Sequence, residues 1–558
     1  MKTRGKSTHT QAEQPVAITH IAYTPWPQVD AELYRKKGYW KEQTIFQCFL
    51  KSAELFADRF AILAPIPTRY SELKIQVLSV ATALSLRGIQ PQDTVVLQLP
   101  NCPAAIQYLL ACFAIGAVPV MALPAHRSQE LNDSLNTSNA KAFIAMQNKT
   151  GGIGGFKSLK DIDWQGEIVA VENSSATLSV LSLMPFELQA NKDADHVALL
   201  QLSGGTTGLP KLIPRTHNDY VYSIQASNNI CQVNEGSVFL CLLPVAHNFT
   251  LSSPGVLGTL FAGGALVLAD NLSADEAFDV IQKYAVTHVA LVPPLALNWL
   301  NYYRLNNRTD KPLASLISLL VGGAKLNSTS AKALIEELGA PLQQVFGMAE
   351  GLVNYTRLQD DLVKRCNTQG KPLSDMDEIL VVDDDDIPVA VGEMGHLLTK
   401  GPYTVRGYLC SPEHNQKAFT HAGFYRTGDI VRVDSDGYLT VEGRDKDQIN
   451  RGGEKISAVE IEDYLLQHSN IMDVAVIAIA DDYLGERTGA YLVTVTQQPI
   501  TLIECRQFLR QFDIAEYKLP DRVFCIEQMP KTPFGKISKK KLREMAREND
   551  AKPITAPV

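Results

Sequence analysis

The sequence lacks the features of zinc-binding, disulfide-stabilised and secreted proteins. Its nine cysteines are scattered, and no two of them are separated by only two residues. This spacing predicts neither a zinc site nor a disulfide framework, and it favours a reducing cytoplasm. Residues 1–20 are polar and contain no apolar signal-peptide core, so we expect a disordered tail there and no secretion signal.

A strongly basic surface and a clear membrane span are missing too. The net charge is −8, which gives no electrostatic footprint for nucleic acid. Residues 104–124 carry no charge, but Gly116, Pro119 and Pro124 interrupt them. A buried helix followed by a buried strand is therefore favoured over a membrane span. The one basic run, residues 536–547, predicts a solvated final helix. Lys536 is the one residue of the run to which this interpretation does not apply.

Length and periodicity predict an α/β chain of more than one domain. The chain has 558 residues, of which 45% are hydrophobic, enough for several cores. Strand-like and helix-like segments alternate through the first two thirds, which predicts mostly parallel sheets covered by helices. Residues 377–442 have short strands separated by turns, typical of a small β-rich subdomain. An α+β pattern returns after residue 446.

A loop of glycine and hydroxyl residues follows a predicted buried strand at residues 197–200. Glycine lets backbone N–H groups approach an anion, hydroxyls add donors and a lysine adds a charge. The pattern predicts polyphosphate binding. Its candidate residues are Ser203, Gly204, Gly205, Thr206, Thr207, Gly208 and Lys211.

The loop sequence also raises two other interpretations. A Walker A loop has its lysine directly after the last glycine, at the start of a helix. Here Leu209 and Pro210 intervene, and Pro210 and Pro214 both oppose a helix. An ordinary glycine-rich turn stays open on the loop alone.

Further motifs follow this loop along the chain, and their order resembles that of the adenylate-forming superfamily. This superfamily comprises acyl-CoA synthetases, adenylation domains of nonribosomal peptide synthesis, and luciferases. The resemblance implies an N-terminal adenylation core over 21–445 and a mobile C-terminal lid domain over 446–558. The motifs are Gly322-Gly323-Ala324, Phe346-Gly347-Met348-Ala349-Glu350, Tyr425-Arg426-Thr427-Gly428-Asp429, Gly443-Arg444-Asp445-Lys446 and the segment from Pro530 to Lys536.

The resemblance implies ATP and Mg²⁺ as cofactors and gives each motif a role. The glycine-rich loop would hold the β- and γ-phosphates, and Gly322, Gly323 and Ala324 would lie against adenine. Glu350 would bind Mg²⁺, Asp429 the ribose hydroxyls, and Arg444 the ribose or a phosphate. Plain turns, or a surface glutamate at a helix start, are the alternatives for these residues taken singly.

The resemblance also assigns the last motif a catalytic role. Lys536 would bridge the carboxylate of the acid and the α-phosphate. Lys446 would be the hinge of a domain rotation. Gly452 and Gly453 would line the route of a phosphopantetheine thiol, or form a simple β-turn.

Residues 244–255 predict which acid is activated. Amino-acid-activating domains carry an aspartate that pairs with the substrate ammonium, whereas this chain has Asn248. A buried pocket without a counter-charge binds an ammonium poorly, so the substrate is expected to lack an amino group. The segment resembles that of stand-alone aryl-acid adenylating enzymes of catechol siderophore synthesis.

This closer resemblance implies the lining of an aryl-acid pocket. Asn248 would contact the ortho-hydroxyl and the carboxylate, Ser253 a 3-hydroxyl, and His247 the carboxylate end. Serine at 253 favours 2,3-dihydroxybenzoate, whereas Phe249 is found in salicylate enzymes; we give Ser253 more weight because its hydroxyl can recognise the extra substrate hydroxyl. The predicted pocket residues are Asn248, Phe249, Ser253, Val345 and Gly347.

The acyl acceptor is predicted to be a separate molecule. No Leu-Gly-Gly-x-Ser carrier motif occurs in the chain, so an aryl carrier protein with a phosphopantetheine arm is the expected partner. An aryl- or acyl-CoA synthetase that uses free coenzyme A is the alternative enzyme. A non-catalytic nucleotide-binding or scaffold protein is the alternative outside enzymes, and the presence of Lys536, Glu350 and Asp429 speaks against it.

Overall fold

The computed structural model describes residues 21–147, 152–171, 193–203, 211–451, 454–481, 484–496, 498–512, 514, 516–532 and 536–550. The expected tail (1–20), the middle of the glycine-rich loop (204–210) and the Gly452-Gly453 pair lie outside the described residues.

The strands of the described residues form four sheets. In chain order they are β1 (Phe60–Ala64), β2 (Thr68–Arg69), β3 (Thr94–Gln98), β4 (Val118–Met121), β5 (Ala142–Met146), β6 (Glu167–Val171), β7 (Val197–Leu202), β8 (Leu212–Thr216), β9 (Val238–Cys241), β10 (Ala265–Leu268), β11 (His288–Leu291), β12 (Ser318–Gly322), β13 (Leu342–Gly347), β14 (Val353–Tyr355), β15 (Lys371–Pro372), β16 (Glu378–Val382), β17 (Gly395–Lys400), β18 (Tyr425–Val433), β19 (Leu439–Arg444), β20 (Gln448–Arg451), β21 (Glu454–Ser457), β22 (Ile471–Asp481), β23 (Gly485–Thr494) and β24 (Arg522–Cys525).

Helices cover the sheets and connect their strands. They are α1 (Gln28–Lys36), α2 (Ile45–Leu55), α3 (Tyr70–Leu86), α4 (Pro103–Ile115), α5 (Ser128–Thr137), α6 (His217–Cys231), α7 (Asn248–Ser252), α8 (Gly255–Phe261), α9 (Ala274–Tyr284), α10 (Pro293–Leu305), α11 (Ser328–Glu336), α12 (Leu362–Asn367), α13 (Pro412–Ala418), α14 (Ala458–Leu465), α15 (Leu502–Arg510) and α16 (Lys539–Asp550).

Two large sheets, both mainly parallel, form the body of the molecule. One has the order β15-β14-β13-β12-β11-β9-β10-β1-β2, and the other β6-β5-β3-β4-β7-β8. In the first, the strands from β13 to β1 pair in parallel. Strands β3, β7 and β12 are buried along their whole lengths, as expected of parallel strands covered on both faces. The predicted parallel, helix-covered architecture is confirmed.

The two smaller sheets also match the prediction. Strands β16 to β19 form an antiparallel sheet, the expected β-rich subdomain. Strands β20 to β24 form a five-stranded sheet, and α14, α15 and α16 complete an α+β region. Between these sheets Lys446 lies in a short 3-10 turn, Asp445–Asp447. The exact domain boundary at residue 446 stays a prediction.

The uncharged segment around residue 110 is a buried helix followed by a buried strand. Helix α4 begins with Pro103 at its first position, where a missing N–H costs no hydrogen bond. It ends at Gly116, whose φ of 84° provides a left-handed C-terminal cap, and β4 follows. In the described part of the chain, no helix has the length and apolar character needed to cross a membrane.

Candidate active site

The predicted site residues meet at the carboxyl ends of parallel strands in the nine-stranded sheet. Gly322 ends β12, and its register partner on β13 is Val345. Gly347 ends β13 two residues later and is exposed. Crevices outside the carboxyl ends of such strands are where open α/β sheets bind ligands. The sheet therefore brings Gly322, a predicted adenine contact, to the same edge as Val345 and Gly347, two predicted aryl-pocket residues.

Val345 and Phe249, the apolar walls of the predicted aryl slot, both lie beside Gly322 at this edge. A Cβ added to Gly322 would lie 2.8 Å from the Val345 carbonyl oxygen and 3.2 Å from Phe249 Cζ. Both neighbouring side chains are buried, at 5% and 8% exposure. A larger residue at 322 would therefore clash with both walls of the predicted slot.

Ser253 lies at the closed end of this segment, directly after α7. Its side chain is buried, and its hydroxyl interacts with the Tyr355 phenol. The Tyr355 hydroxyl in turn donates to Ser227 Oγ over 2.9 Å. A serine hydroxyl can both donate and accept, so the Ser253 oxygen can accept a hydrogen bond from a ligand.

His247 and Asn248 form the start of α7. His247 is the N-cap, and its Nδ1 accepts a hydrogen bond from the Phe249 backbone N–H at 3.2 Å. This bond assigns the ring proton of the neutral imidazole to Nε2. Burial and the nearby Lys536 ammonium lower the pKa of His247 to about 4, so the ring is neutral near pH 7.

Glu350 is held by a pair of tyrosines. The Tyr408 hydroxyl donates to Glu350 Oε1 over 2.7 Å, and the Tyr408 and Tyr425 hydroxyls lie 2.9 Å apart. Burial and then the Glu350 charge raise the pKa of Tyr408 well above its usual range, so it remains a donor. Glu350 is 8% exposed, which excludes the alternative of a solvated surface glutamate.

The two ends of the glycine-rich loop are joined beside this group. Ser203 Oγ accepts from the Lys211 backbone N–H at 2.9 Å, and the Ser203 N–H donates to the Lys211 carbonyl at 2.9 Å. The Lys211 ammonium lies 5.7 Å from the centre of the Tyr408 ring. Lys211 and Glu350 thus share one tyrosine neighbour. The loop residues Gly204, Gly205, Thr206, Thr207 and Gly208 lie outside the described residues.

Asp429 and Arg444 face each other across β18 and β19. They are register partners, and Arg444 Nε lies 2.8 Å from Asp429 Oδ1. The backbone N–H of Asp429 donates to Thr427 Oγ1 at 3.0 Å. Asp429 Oδ2 is buried and has no hydrogen-bond partner among the described residues. Burial raises the pKa of Asp429, against the opposing charge of Arg444. An unsatisfied buried acceptor of this kind is suited to a ligand hydroxyl.

Lys536 reaches this cleft from the C-terminal α+β region. A Cβ added to Gly323, whose φ is 85°, would lie 3.6 Å from Lys536 Cε and 3.9 Å from Nζ. The residue as a whole is exposed, but desolvation around its ammonium lowers its pKa to about 8. The positive charge of Arg444 lowers this pKa further, and the negative charge of Asp429 opposes the shift. The structure therefore brings Lys536 together with His247 and Asp429.

A salt bridge and a hydrogen bond hold the C-terminal region in this position. Lys325 Nζ lies 3.0 Å from Asp463 Oδ2, joining the turn after Gly323 to α14. Ser457 Oγ donates to the Glu442 carbonyl over 2.7 Å. Neither contact was predicted from the sequence, since each joins residues that carry no motif. The predicted hinge residue Lys446 has a described backbone only, and Gly452 and Gly453 lie outside the described residues.

One expectation about the basic run is wrong. The last helix exists as α16, but Lys539 is not solvated: its Nζ lies 2.8 Å from Glu462 Oε1, and both side chains are largely buried. Arg543 Nη2 likewise lies 2.6 Å from Asp447 Oδ1. Leu542 is fully buried between these two residues. The helix packs on the sheet because its apolar and basic residues alternate at helical spacing, which brings two of its cations over buried carboxylates.

The fold and the arrangement of these residues are those of the adenylate-forming class of enzymes. Sequence comparison identifies the family. The chain belongs to the AMP-binding enzyme family: the family model described as "AMP-binding enzyme" matches residues 49–409. A second model, "AMP-binding enzyme C-terminal domain", matches residues 460–536. The resemblance to the adenylate-forming superfamily is thereby confirmed.

Curated relatives and a solved structure cover nearly the whole chain. A protein of Bacillus subtilis (strain 168) named "2,3-dihydroxybenzoate-AMP ligase" is 47% identical, covering 94% of this chain and 98% of the relative. A "Vibriobactin-specific 2,3-dihydroxybenzoate-AMP ligase" of Vibrio cholerae is 44% identical, covering 93% and 97%. The structure titled "Mycobacterium smegmatis MbtA apo structure" is 38% identical with a TM-score of 0.70, covering 94% and 98%.

Proposed function

We propose that this protein activates an aryl acid with ATP, in siderophore synthesis, by forming an aryl adenylate and releasing pyrophosphate. The observation that carries the proposal is the position of Lys536, whose ammonium lies beside Gly323 and near both His247 and Asp429. A cation at this point can reach an acid in the Phe249–Val345 slot and a nucleotide anchored at Asp429. Relatives 44–47% identical to the chain are named for the same chemistry.

The reaction replaces a poor leaving group with a good one. A carboxylate oxygen of the acid attacks the α-phosphorus of ATP, and the bond from that phosphorus to the bridging oxygen of pyrophosphate breaks. In the transition state, negative charge increases on the phosphate oxygens. Catalysis then consists of positioning and electrostatic stabilisation. Lys536 would neutralise both anions, and His247, neutral near pH 7, would donate from Nε2 at the carboxylate end.

The nucleotide would be held by the remaining cleft residues. Asp429, with its unpartnered Oδ2, would accept from the ribose hydroxyls, and Arg444 beside it would contact the ribose or a phosphate. Adenine would lie against Gly322, Gly323 and Ala324. Ser203 and Lys211, at the two ends of the glycine-rich loop, would face the β- and γ-phosphates. In this arrangement the α-phosphate would lie between Lys536 and the predicted aryl slot.

The site also suits Mg²⁺ delivered with the nucleotide. No group of three potential metal ligands occurs in the described residues, and Glu350 offers a single carboxylate, oriented by Tyr408. Mg²⁺ is typically bound by one or two carboxylates together with substrate phosphates. Glu350 would hold it, and the ion would neutralise phosphate charge.

The pocket favours 2,3-dihydroxybenzoate over salicylate. The Ser253 hydroxyl can accept a hydrogen bond from a 3-hydroxyl, which a salicylate-specific site does not need. Phe249 contributes only an apolar wall here. Salicylate remains the second candidate, because the slot and Asn248 would accept it equally well.

A second step would transfer the aryl group to a thiol. The thiol sulfur attacks the carbonyl carbon of the adenylate, a thioester forms and AMP leaves. We propose a phosphopantetheine arm of a separate aryl carrier protein as the acceptor, with Lys446 as hinge and Gly452 and Gly453 along the thiol route. A cytoplasmic location stays a prediction from cysteine usage, and all nine cysteines are unpaired.

Exchange of labelled pyrophosphate into ATP tests the proposed function. The assay would use benzoate, salicylate, 2,3-dihydroxybenzoate and phenylalanine. We expect the fastest exchange with 2,3-dihydroxybenzoate and none with phenylalanine. Exchange with phenylalanine alone, or with no aryl acid, would refute the proposal. Loading of coenzyme A but of no carrier protein would favour the CoA-synthetase alternative.

The pH dependence of adenylation should report the lowered pKa of Lys536. The active form is the ammonium, which in the free enzyme is half populated near pH 8. The kcat/KM for salicylate should therefore hold steady from pH 6 to 7 and fall about tenfold per unit above pH 8. His247, with a pKa of about 4, should add no change between pH 6 and 8.

Lys536→Arg is the matched control for this profile. Its guanidinium stays charged throughout, so its lower kcat/KM should be flat up to pH 10. An equal decline in both proteins above pH 8 would assign the titration to another group.

Ser253→Cys should change the preference between two acids. A thiol is a weak acceptor, so recognition of a 3-hydroxyl should weaken. We expect the ratio of kcat/KM for 2,3-dihydroxybenzoate over salicylate to fall roughly tenfold, measured by pyrophosphate exchange. The control is Ser134→Cys, another buried serine, whose hydroxyl donates within α5 to the Glu130 carbonyl. An unchanged ratio in the Ser253 variant would remove this residue from the ring.

A further inference from the structure

The amide group of Asn248 has a defined orientation in the structure. Its Oδ1 accepts a hydrogen bond from the Tyr220 hydroxyl at 2.8 Å. The single proton of Ser252 Oγ is shared between Oδ1 at 3.2 Å and the Asn248 backbone carbonyl at 3.0 Å. Within the described residues no acceptor contacts Asn248 Nδ2. An amide whose oxygen is occupied in this way presents its two N–H donors to whatever fills the pocket. Those donors suit the carboxylate and ortho-hydroxyl oxygens of an aryl acid.

Tyr220 can only act as the donor in this pair. It is fully buried on α6, and burial raises its pKa to about 12, so it keeps its proton. Gln201 Nε2 lies 3.5 Å from the hydroxyl oxygen and donates to it. The chain of hydrogen bonds therefore runs in one direction, from Gln201 through Tyr220 to Asn248.

A buried cation fixes the Tyr220 ring. The Arg215 guanidinium lies 4.8 Å from the ring centre, a cation–π distance. Arg215 is 1% exposed, and its Nε donates to Asp219 Oδ1 over 2.7 Å. Asp219 also accepts from the Thr216 backbone N–H at 2.6 Å. Since every partner is buried, the ring has little freedom to move.

The same cation reaches the phosphate side of the cleft. Arg215 Nη1 donates to the Ala349 carbonyl over 2.9 Å, and Ala349 directly precedes Glu350. One guanidinium thus contacts both the tyrosine that orients Asn248 and the backbone that carries the proposed Mg²⁺ ligand. No sequence motif marked Arg215 or Tyr220, because both lie between two recognised motifs.

We propose that Tyr220, held by Arg215, is a positioning residue for aryl-acid recognition: its hydroxyl locks the Asn248 amide so that the N–H groups face the acid. The inference rests on the proposed function, since it concerns the acid that this site would activate. Without the Tyr220 hydroxyl, the only donor left near Asn248 Oδ1 is Ser252, whose proton is shared with the nearer Asn248 carbonyl. The amide could then invert and oppose its oxygen to the substrate carboxylate.

Tyr220→Phe tests the inference with little disturbance, since it keeps the ring and its contact with Arg215. We expect the KM for salicylate to rise roughly tenfold, while the KM for ATP and the kcat change less than twofold. Ser252→Ala, which removes the second donor to Asn248 Oδ1, should shift the same KM in the same direction by less. This second variant keeps the inference testable if the first folds poorly.

A double-mutant cycle separates positioning from a general structural effect. In an Asn248→Ala background, Tyr220→Phe should no longer change the KM for salicylate, because the amide that it orients is gone. Tyr70→Phe is the matched control: it removes a fully buried hydroxyl that donates to the Gly264 carbonyl over 2.7 Å. That variant should leave both KM values unchanged.

The outcomes distinguish failure of this inference from failure of the proposed function. A wild-type protein that exchanges pyrophosphate with no aryl acid refutes the function itself. An active wild type with an unchanged KM in Tyr220→Phe overturns the positioning role alone. The same holds if the KM values for ATP and salicylate rise together, or if the tyrosine effect persists in the Asn248→Ala background.

Discussion

Lys536→Ala is expected to reduce aryl-adenylate formation by about 10³-fold, the upper range for losing one preorganised charge-stabilising group. The ammonium lies beside Gly323, at the junction between the aryl slot and Asp429. Two anions must meet there before the carboxylate can attack the α-phosphorus, and the ammonium would neutralise both. Pyrophosphate exchange with 2,3-dihydroxybenzoate measures the loss.

The second step, transfer of the aryl group from the adenylate to a thiol, should survive in this variant. Supplied aryl adenylate should still be transferred to an acceptor thiol, with a rate reduced far less, because that step forms no new contact between two anions. Lys540→Ala, an exposed lysine four positions later, should retain full exchange. If Lys536→Ala exchanges pyrophosphate as fast as the wild type, the catalytic assignment of this lysine is wrong.

Asp429→Asn is expected to raise the KM for ATP by about 10- to 100-fold, as befits the loss of hydrogen bonds to a charged group. The carboxylate offers the buried, unpartnered Oδ2 to the ribose, whereas the asparagine would present an N–H₂ group there or lose its contact with Arg444. The KM for the aryl acid should stay within twofold, because the slot lies at the other end of the cleft. Initial rates at varied ATP concentrations provide the measurement.

The thermal stability of Asp429→Asn should not fall along with its affinity for ATP. Burial raises the pKa of Asp429, so the folded state binds its proton more tightly than the unfolded state does. Above the unfolded pKa the ionised carboxylate therefore reduces the free energy of unfolding, and a neutral asparagine removes that cost. The melting temperature should be unchanged or higher, although activity is lower.

The control for Asp429→Asn comes from the same small sheet. Asp386→Asn removes an exposed carboxylate that forms a bidentate ion pair with Arg426 on β18, at 2.5 and 2.6 Å. Exposed pairs contribute little, so both KM values and the melting temperature should barely change. A large rise in the KM for ATP in this control would attribute the effect to the sheet and not to the ribose contact.

Strand and helix positions were predictable where one physical signal dominated. The buried strand predicted at residues 197–200 exists as β7, Val197–Leu202, and is buried along its whole length, because a short apolar run bounded by turn residues is typical of a strand in a covered sheet. Helix α16 was also predicted, but its environment was not. Whether Lys539 meets water or Glu462 depends on which face of the helix packs on the sheet.

The order of the motifs along the chain was enough to assign the protein to its superfamily. Short segments reveal this order because each motif is defined by its own backbone requirements and charged residues. The motifs are the glycine-rich loop, Gly322–Ala324, Glu350, Asp429, Arg444 and Lys536. The tertiary structure alone decided how these segments combine. It joined Tyr408 to Glu350 across 58 positions and Tyr220 to Asn248 across 28, contacts that no periodicity encodes. Such pairs arise because packing of distant strands and helices determines which side chains share a buried space, and that depends on the whole chain at once.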